Sequence, residues 1–423
     1  MQRLRALNTP IRVGIIGIGA MGRGLVYQCR NTPGFEVLAV ADVKPERAIA
    51  CLESMGVAAA EAETLADAQL ALQAGRVAVF HDGRMLAAMP QLDVVIEATS
   101  AIGEAGEFAV TALRHGKHLI LMNAEIDLIF GPALLRLARE NGVVCTSCDG
   151  DQHGVIKRVV DEIELWGFTP VMAGNIKGFL DRYANPTSIV PEADKRRLDY
   201  RMCTAYTDGT KLNIEMSLVA NALGYRAHVP GMMGLAAKDV EEVRSLYDFG
   251  QMWDGQTGVV EYILGASPGG GVFVVGHCDE PYQRDMMAYY KMGPGPFYTF
   301  YRPYHLCHVE AMRGVAEAVL DGQALLAPEQ GWRTNVFAYA KKDLRPGDRL
   351  DGVGGYTCYG QIENYEPRGE NDGVPICLAE DVVVKTDVRR DQRLTLADVV
   401  LPADRSDVQL YREALATSLI GAA

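Results

Sequence analysis

The sequence has no apolar run long enough to cross a bilayer, and residues 1–10 have no apolar segment of the kind that a secretory signal peptide needs. It also has no excess of basic residues, because 41 Lys and Arg stand against 54 Asp and Glu, for a net charge of -13. An acidic surface repels phosphate backbones and anionic lipid. We therefore expect neither nucleic acid nor a membrane as a partner.

The nine cysteines show no disulfide pattern, since their number is odd and most are scattered along a large chain. Without an export signal they are expected to be reduced thiols in a cytoplasmic protein. Cys145 and Cys148 form a C-x-x-C pair, but they lie on a predicted strand, and no second pair completes a zinc site. We interpret both as core thiols.

Length and the order of the apolar segments indicate several domains. A chain of 423 residues is too long for one ordinary core, so two or three domains are expected. In residues 1–150 apolar runs alternate with helical segments, which predicts an α/β fold with a doubly wound parallel sheet of the Rossmann type. The predicted strands are residues 11–16, 35–41, 77–80, 92–98, 118–122 and 143–147, and the predicted helices include 23–29, 103–115 and 134–140.

The pattern changes after residue 150. Residues 151–334 mix helical and strand-like segments and are expected to form an α+β substrate domain. Its predicted elements include helices at 153–166, 211–223 and 304–320 and a glycine-rich hairpin at 267–271. Residues 335–423 carry short strands between repeated turn signals, which predicts a small β-rich module.

A glycine turn, G-I-G-A-M-G at residues 17–22, follows the first predicted strand and opens a helix. In this spacing Gly17 allows a tight turn, Gly19 lets the backbone approach a pyrophosphate, and Gly22 lets the helix and strand pack closely. The helix N-terminus then offers N–H groups to the phosphates. The pattern predicts an NAD(P)-binding domain; the alternative is a glycine turn without a cofactor.

The acidic residue Asp42 ends the next strand at the distance that suits a ribose hydroxyl. Its carboxylate favours NAD, because it repels a 2′-phosphate, whereas Lys44 and Arg47 could offset that repulsion, so both nucleotides remain open. The nicotinamide is expected across the strand ends, towards Asn123 and residues 149–151. The predicted cofactor-binding residues are Gly17, Gly19, Ala20, Met21, Gly22, Asp42, Thr99 and Asn123.

Two carboxylates, Asp149 and Asp151, follow the last predicted strand of the first domain, where ligands of open α/β sheets bind. Carboxylates at this spacing can bind Mg²⁺ or Mn²⁺, which prefer oxygen ligands. The alternative is a turn residue at Asp149 and a helix N-cap at Asp151.

A second cluster contains Asp208, Lys211 and Glu215, which are the candidate catalytic residues. Lys211 and Glu215 share one helix face because they are four residues apart. A lysine near a bound carbonyl can polarise it or move a proton, and Glu215 could be a third metal ligand. The alternative, slightly favoured by the sequence alone, is a surface ion pair.

A third cluster is the run Tyr-Arg-Pro-Tyr-His-Leu-Cys-His at residues 301–308. Arg302 and His305 could hold an anionic substrate. The group His305, Cys307 and His308 could suggest zinc, but no second ligand pair lies nearby. A helix-capping or interface role is the alternative.

Together these motifs resemble the homoserine-dehydrogenase-like oxidoreductases, and within them the deoxyxylulose-phosphate reductoisomerase-like enzymes with a C-terminal SAF module. The similar segments, which span most of the chain, are the glycine turn at 17–22, Asn-Ala-Glu at 123–125, Gly-Phe-Leu at 178–180, Asp208 to Lys211, the run at 301–306, and the tail segments at 343–349 and 393–398. The chain departs from the family at Ala124, where a lysine is usual, and at Asp181, where an asparagine is usual.

The resemblance implies a metal at Asp149, Asp151 and Glu215, proton handling by Lys211, and a substrate held by Arg302, His305 and Glu125. It also implies a two-part reaction: deoxyxylulose 5-phosphate would rearrange to an aldehyde, which NAD(P)H would reduce to methylerythritol phosphate.

Two other functions stay open at the level of sequence. One is a metal-independent dehydrogenase acting on a small hydroxy acid, polyol or homoserine-like alcohol, and the other is a nucleotide-binding sensor without catalysis. The substrate is expected to be a small molecule, with or without a phosphate group, and a homo-oligomer is expected on base rates alone.

Overall fold

A computed structural model describes residues 1–367 and 369–420 of the chain. The chain divides into two compact units. Unit 1 consists of Met1–Gly154, Leu306–Ala327 and Gln409–Ala423, and unit 2 consists of Val155–His305 and Pro328–Val408.

The strands are β1 (Ile11–Ile16), β2 (Phe35–Ala41), β3 (Ala59–Glu61), β4 (Val77–Phe80), β5 (Val94–Glu97), β6 (His118–Leu121), β7 (Cys145–Ser147), β8 (Thr169–Lys177), β9 (Arg226–Ala227), β10 (Leu235–Ala236), β11 (Val259–Leu264), β12 (Val272–His277), β13 (Phe297–Arg302), β14 (Thr334–Ala340), β15 (Cys358–Asn364), β16 (Val383–Val384) and β17 (Val399–Val400). The helices are α1 (Gln2–Arg5), α2 (Ala20–Asn31), α3 (Pro45–Ser54), α4 (Leu65–Gln73), α5 (Gly83–Ala87), α6 (Gly103–Arg114), α7 (Ala124–Glu140), α8 (Gln152–Leu165), α9 (Val190–Arg196), α10 (Tyr200–Thr207), α11 (Thr210–Leu223), α12 (Val243–Leu246), α13 (Phe249–Met252), α14 (Pro281–Tyr289), α15 (Cys307–Asp321) and α16 (Ser406–Ile420). Among the described residues, no helix is both long and apolar enough to span a bilayer.

Unit 1 is built on a seven-stranded sheet in the order β3-β4-β2-β1-β5-β6-β7, and every strand pair in it is parallel. The α/β fold with a doubly wound parallel sheet is therefore confirmed. The carboxyl ends of three strands lie side by side, because Ile16 pairs with Ala41 of β2 and with Glu97 of β5. This edge carries the glycine turn.

Helix α7 is longer than the predicted segment 134–140. It begins at Ala124, where the Asn123 side chain caps it, and it contains Pro132 within its length. Nearly all of its side chains are buried, including two acidic ones. A helix buried on all sides lacks the one-sided apolar pattern by which sequence reveals an amphipathic helix.

Helix α15 belongs to unit 1, so the units differ from the predicted substrate domain at 151–334. Its apolar residues Ala311, Met312 and Val315 share one core with Val26 and Cys29 of α2. The His308 ring lies against Gly24 of α2, where a Cβ atom would meet it at 2.4 Å. Burial of this apolar face holds α15 on the Rossmann sheet unit.

Unit 2 contains a mixed six-stranded sheet in the order β10-β11-β8-β12-β13, with β9 also paired to β11. Strand β8 pairs in parallel with β11 and antiparallel with β12. The predicted glycine-rich hairpin at residues 267–271 is therefore wrong, because β8 lies between the two strands that this turn connects. The chain does turn between β11 and β12, but both strands pair with β8 instead of with each other.

The segment after residue 328 contributes two antiparallel pairs, β14–β15 and β16–β17, to unit 2. It is joined to α11 by two hydrogen bonds from its backbone: the N–H of Gly360 donates to the Thr210 hydroxyl at 2.9 Å, and the N–H of Ile362 donates to Asn213 Oδ1 at 2.9 Å. The β-rich segment thus packs against the helix that carries Lys211 and Glu215. The sequence did not predict α16, which follows it.

Candidate cofactor and catalytic site

The glycine turn after β1 is built so that side chains are excluded from it. A Cβ atom on Gly22 would lie 1.8 Å from the carbonyl oxygen of Gly17, and one on Gly17 would lie 2.9 Å from the Ala98 carbonyl group. Gly17 also has a φ of 90°, and its N–H donates to the Ala41 carbonyl at 2.7 Å. Helix α2 and the end of β5 therefore approach the turn as closely as backbone allows, which is the packing that a dinucleotide-binding turn requires.

The outer side of the same turn is open. A Cβ atom on Gly19 would have one neighbour within 4 Å, the Arg47 guanidinium at 3.8 Å, and Ala20 is exposed. Asp42 is fixed beside the turn, since its Oδ2 accepts the Ile18 N–H at 2.8 Å and its Oδ1 accepts the Lys44 N–H at 2.9 Å. These residues fit a nucleotide, and the position of Arg47 keeps NAD and NADP both open.

Two further residues of the predicted cofactor set lie at neighbouring strand ends. The methyl group of Thr99, after β5, is 2.9 Å from the Cβ position of Gly17. Asn123, after β6, is buried; its Oδ1 accepts the Ile126 N–H at 3.3 Å, and its Nδ2 donates to the Ala101 carbonyl at 2.7 Å. Asn123 thus caps α7, and its contact with a cofactor stays a prediction.

Glu97, the last residue of β5, is a buried acid at the edge of the sheet that carries the glycine turn, and the sequence analysis did not single it out. Its side chain is 0% exposed, and its Oε1 accepts the Thr99 N–H at 2.9 Å. The pKa of Glu97 is raised to about 7, chiefly by burial and in smaller part by the nearby Glu125. The sequence held one signal for it, a single acidic residue inside the otherwise apolar run that ends β5.

Helix α7 carries two more buried acids. Glu125, predicted to contact substrate, is 5% exposed. Asp127 is fully enclosed, its carboxylate accepts a hydrogen bond from the Ser147 hydroxyl, and burial raises its pKa to about 7. Unit 1 therefore contains several carboxyl groups in apolar surroundings.

The loop that holds Asp149 and Asp151 is buried against the start of α15. Each aspartate accepts the N–H of the residue that follows it, at 2.9 Å from Gly150 and at 2.8 Å from Gln152. The Cys307 thiol donates to Asp151 Oδ1 at 3.7 Å. The donor set, two buried carboxylates, fits an oxygen-preferring divalent ion, and the third predicted ligand, Glu215, belongs to unit 2.

Asp208, predicted as a catalytic residue, forms a buried ion pair. Its Oδ2 lies 2.8 Å from Nζ of Lys341, and the two side chains are 0% and 4% exposed. The same ammonium donates to the carbonyl groups of Ala184 and Gly355, at 2.7 Å each. Asp208 Oδ1 accepts the Thr210 N–H at 2.8 Å, so the carboxylate fixes the first turn of α11.

Lys211 and Glu215 lie on α11, and both are buried, with 5% and 2% of their surface exposed. The alternative of a surface ion pair is therefore wrong. Buried ionisable groups on one helix face are candidates for proton transfer. Their catalytic role stays a prediction.

One face of the second sheet carries the polar side chains of Asn175, Tyr262 and Arg302. Asn175 of β8 lies opposite Tyr262 of β11 and Val272 of β12, which in turn lies opposite Arg302 of β13, so these residues share a face. Asn175 is 0% exposed, and neither its Nδ2 nor its Oδ1 has a hydrogen-bond partner among the described residues. The Arg302 guanidinium lies 4.7 Å from the centre of the Tyr304 ring.

Helix α11 packs against β8 and β11. The opposite face of the sheet is filled by the apolar cluster that includes Met172, Ile176 and Phe249. We infer that α11 covers the face of Asn175. Sequence reasoning did not single out Asn175, because an asparagine inside a strand gives no local sign of being unpartnered.

Two segments of the chain match known protein families. Residues 11–146 match the oxidoreductase family with an NAD-binding Rossmann fold. Residues 150–311 match the catalytic domain of oxidoreductase DRL. The chain therefore has the domains of an NAD(P)-dependent oxidoreductase, which confirms the class and the nucleotide cofactor predicted from the sequence.

The curated relatives are distant and cover part of the chain. A 1-deoxy-D-xylulose 5-phosphate reductoisomerase of Clostridium perfringens is 26% identical over 144 residues, which are 32% of this chain and 34% of that protein. A homoserine dehydrogenase of Pseudomonas aeruginosa is 29% identical over 135 residues, or 32% of this chain and 28% of that protein. The chain thus spans about a third of each relative's length.

Among solved structures, a probable dehydrogenase from Thermotoga maritima is similar, with a TM-score of 0.44 and 12% identity over 74% of this chain and 90% of that one.

Proposed function

We propose that the chain binds NAD(P) at residues 17–22 and transfers a hydride between the nicotinamide and a carbonyl or alcohol carbon of a small polar substrate. The observation that carries the proposal is the close packing of Gly22 on the Gly17 carbonyl, with Asp42 hydrogen-bonded to the turn. Such packing brings backbone N–H groups to a pyrophosphate.

Lys211 and Glu215 are the proposed proton-handling pair. Both are buried on one face of α11, and the Asp208–Lys341 ion pair fixes the start of that helix. Lys211 would donate to the substrate oxygen as the carbonyl is reduced and take the proton back in the reverse direction. We assign Asp208 a positioning role, because its carboxylate is already held by Lys341 and the Thr210 N–H.

The preferred reaction is that of a reductoisomerase-like enzyme acting on deoxyxylulose 5-phosphate or a related sugar phosphate. Support comes from the resemblance and from the DRL match over residues 150–311, which include Lys211, Glu215, Arg302 and His305. Asp149, Asp151 and Glu215 would hold Mg²⁺ or Mn²⁺, which would supply Lewis-acid stabilisation of the substrate oxygens. Arg302 and His305 would hold the phosphate, and residues 335–423 would be the SAF module.

A metal-independent dehydrogenase is the second candidate. It is favoured by the contacts of Asp149 and Asp151, because the Oδ1 atom of each accepts a hydrogen bond from a backbone N–H group. In that case the two aspartates shape the loop between β7 and α8, and Lys211 alone polarises the substrate.

The first experiment tests the nucleotide site. Titrations of NADH and NADPH, followed by their fluorescence, should show binding to the native chain and much weaker binding to the Asp42→Ala variant. Asp82→Ala is the matched control, because Asp82 also follows a strand of the same sheet but caps α5. Binding of neither nucleotide to the native chain would reject the proposed function.

The second experiment separates the two reactions. Oxidation of NADPH should depend on deoxyxylulose 5-phosphate and should be abolished by EDTA, and Asp149→Asn and Lys211→Ala should each remove it. A metal-independent dehydrogenase predicts instead that Asp149→Asn stays active on an alcohol or hydroxy acid while Lys211→Ala does not. Tight nucleotide binding without turnover on any of these substrates would favour a sensor.

A further inference from the structure

Glu97 is a fully buried carboxyl group with one oxygen unaccounted for. Its Oε1 accepts the Thr99 N–H at 2.9 Å, but its Oε2 has no hydrogen-bond partner among residues 1–367 and 369–420. Burial of an ionised carboxylate without a partner in an apolar interior is unfavourable. The neutral form is therefore favoured unless a cation or a hydrogen-bond donor lies beside the carboxylate.

The position of Glu97 indicates which cation that would be. Glu97 ends β5 and pairs with Ile16, the last residue before the glycine turn. In a doubly wound sheet the dinucleotide lies across the strand ends, and Asp42 after β2 takes the adenosine half. The nicotinamide half then lies on the other side of β1, over the ends of β5 and β6. This step rests on the proposed nucleotide site.

The surroundings of Glu97 contain little that would hold its charge. The residues paired with it on β1 and β6, Ile16 and Leu121, are apolar. From α7 the ionisable group that acts on it is Glu125, which raises the pKa of Glu97, and the polar groups that lower it are Thr99 and Asn123. A positive charge from a ligand would therefore have a large effect on this carboxyl group.

We propose that Glu97 is a proton-holding residue that carries a proton in a large fraction of the free enzyme near neutral pH and loses it when the oxidised nucleotide binds. The oxidised nicotinamide ring carries a positive charge and the reduced ring carries none. The exchange is balanced: the Glu97 carboxylic acid and NAD(P)⁺ give the Glu97 carboxylate with bound NAD(P)⁺ and one proton released to solvent. The oxidised nucleotide thus competes with a proton, and the reduced nucleotide does not.

Proton release on nucleotide binding is the direct test. The holo form is made by mixing the native chain with saturating NAD⁺ or NADP⁺ near neutral pH in weak buffer with an indicator dye. We expect release of about half a proton per site, because the pKa of Glu97 is about 7. The reduced nucleotides should release none, and the Glu97→Gln variant should release none with either nucleotide.

Asp127→Asn is the matched control, because Asp127 is also buried and burial raises its pKa to about 7. Unlike Glu97, Asp127 accepts a hydrogen bond from the Ser147 hydroxyl. The variant should release protons as the native chain does. Fluorescence titration of the reduced nucleotide should give dissociation constants within about threefold for all three proteins, which shows that each is folded.

The same coupling is measurable without a variant. The native chain should bind the oxidised nucleotide about five- to tenfold more tightly near pH 8 than near pH 6, with the reduced nucleotide nearly unchanged. Equal pH dependence for both nucleotides, proton release that persists in Glu97→Gln, or release lost in Asp127→Asn alone would overturn the inference. Absence of reduced-nucleotide binding to the native chain would instead reject the proposed function.

Discussion

Two buried acidic residues, one in each unit, have opposite surroundings. Asp208 in unit 2 has Lys341 at 2.8 Å and a backbone N–H on its second oxygen. Glu97 in unit 1 has one backbone N–H and an oxygen without a partner among the described residues. Burial raises the pKa of both carboxyl groups, but the Lys341 ammonium opposes this rise at Asp208, whereas the charged neighbour of Glu97 is another acid, Glu125. A buried carboxylate with a counter-ion anchors structure, and one without a cation responds strongly to a charged ligand.

The partners of a buried carboxyl group indicate whether it has a structural or a functional role, and burial alone does not. Both side chains are 0% exposed, so an exposure criterion treats them alike. The partners decide: the Lys341 ammonium lies 2.8 Å from Asp208 and donates to the carbonyl groups of Ala184 and Gly355, so its charge is already held within the fold. We therefore expect substitutions at the anchored pair to change stability and substitutions at Glu97 to change proton and nucleotide binding.

Lys341→Met should have the largest effect. It leaves the Asp208 carboxylate buried without its cation, which typically lowers the free energy of unfolding by about 3–5 kcal/mol. Urea denaturation followed by circular dichroism measures the loss. The matched control is Lys342→Met at the adjacent exposed lysine, with an expected change of under about 0.5 kcal/mol.

A double variant sharpens the result. Asp208→Asn in the Lys341→Met background removes the uncompensated charge, so it should recover part of the lost stability. Equal stability losses for Lys341→Met and Lys342→Met would contradict the anchoring role of the pair.

Glu97→Gln should change how the stability of the fold depends on pH. The pKa of Glu97 is about 7 in the folded chain, above its ordinary value of 4.5, so the folded state binds the extra proton between these two values. Stability is therefore lost as the pH rises through this window, by about 3 kcal/mol in total from Glu97. Thermal unfolding from about pH 4.5 to about pH 8 should show a weaker decline in Glu97→Gln. An identical decline in both proteins would show that Glu97 is ionised in the fold.

The first sheet was predictable because local pattern and tertiary structure agree there. The apolar runs at 11–16, 35–41 and 77–80 are β1, β2 and β4 with the same bounds, and the glycine spacing implied the backbone packing found between Gly17 and Gly22. Parallel strands that are buried on both faces have continuous apolar sequences, and such runs predict strands directly.

The candidate site was less predictable, because its decisive contacts join residues far apart in the chain. Nothing near Asp208 in sequence indicates Lys341, and nothing near Asp151 indicates the Cys307 thiol. The hairpin at 267–271 failed for the same reason, since the partner of β12 is β8. Residue types and spacing singled out Lys211 and Glu215 as candidates, whereas their burial depends on packing that the pattern does not encode.

Two buried asparagines extend the comparison within unit 2. Asn213 has a partner on each polar atom, with Nδ2 donating to the Gly209 carbonyl at 2.8 Å and Oδ1 accepting the Ile362 N–H at 2.9 Å. Asn175 has no partner among the described residues. Asn175→Ala should raise the KM of the substrate about three- to tenfold with little loss of stability, as expected for one hydrogen bond of about 1 kcal/mol.

Asn213→Ala should behave in the opposite way, with a stability loss of about 1–3 kcal/mol, because the buried N–H of Ile362 loses its partner. Steady-state kinetics and urea denaturation of both variants measure the contrast. A large stability loss in Asn175→Ala without a change in KM would assign Asn175 to the scaffold.

Arg47→Ala should have an effect as small as that of Asn175→Ala, and it bears on the nucleotide that unit 1 selects. The Arg47 guanidinium lies 3.8 Å from the Cβ position of Gly19, and Asp42 lies beside the same turn. An exposed arginine there attracts a 2′-phosphate that Asp42 repels, so its removal should weaken NADPH binding about threefold to tenfold and leave NADH nearly unchanged. Arg114→Ala, in the last turn of α6, is the control that should change neither. Equal weakening of both nucleotides in Arg47→Ala would show that the guanidinium contacts the shared pyrophosphate, and the choice between NAD and NADP would then depend on Asp42 and Lys44.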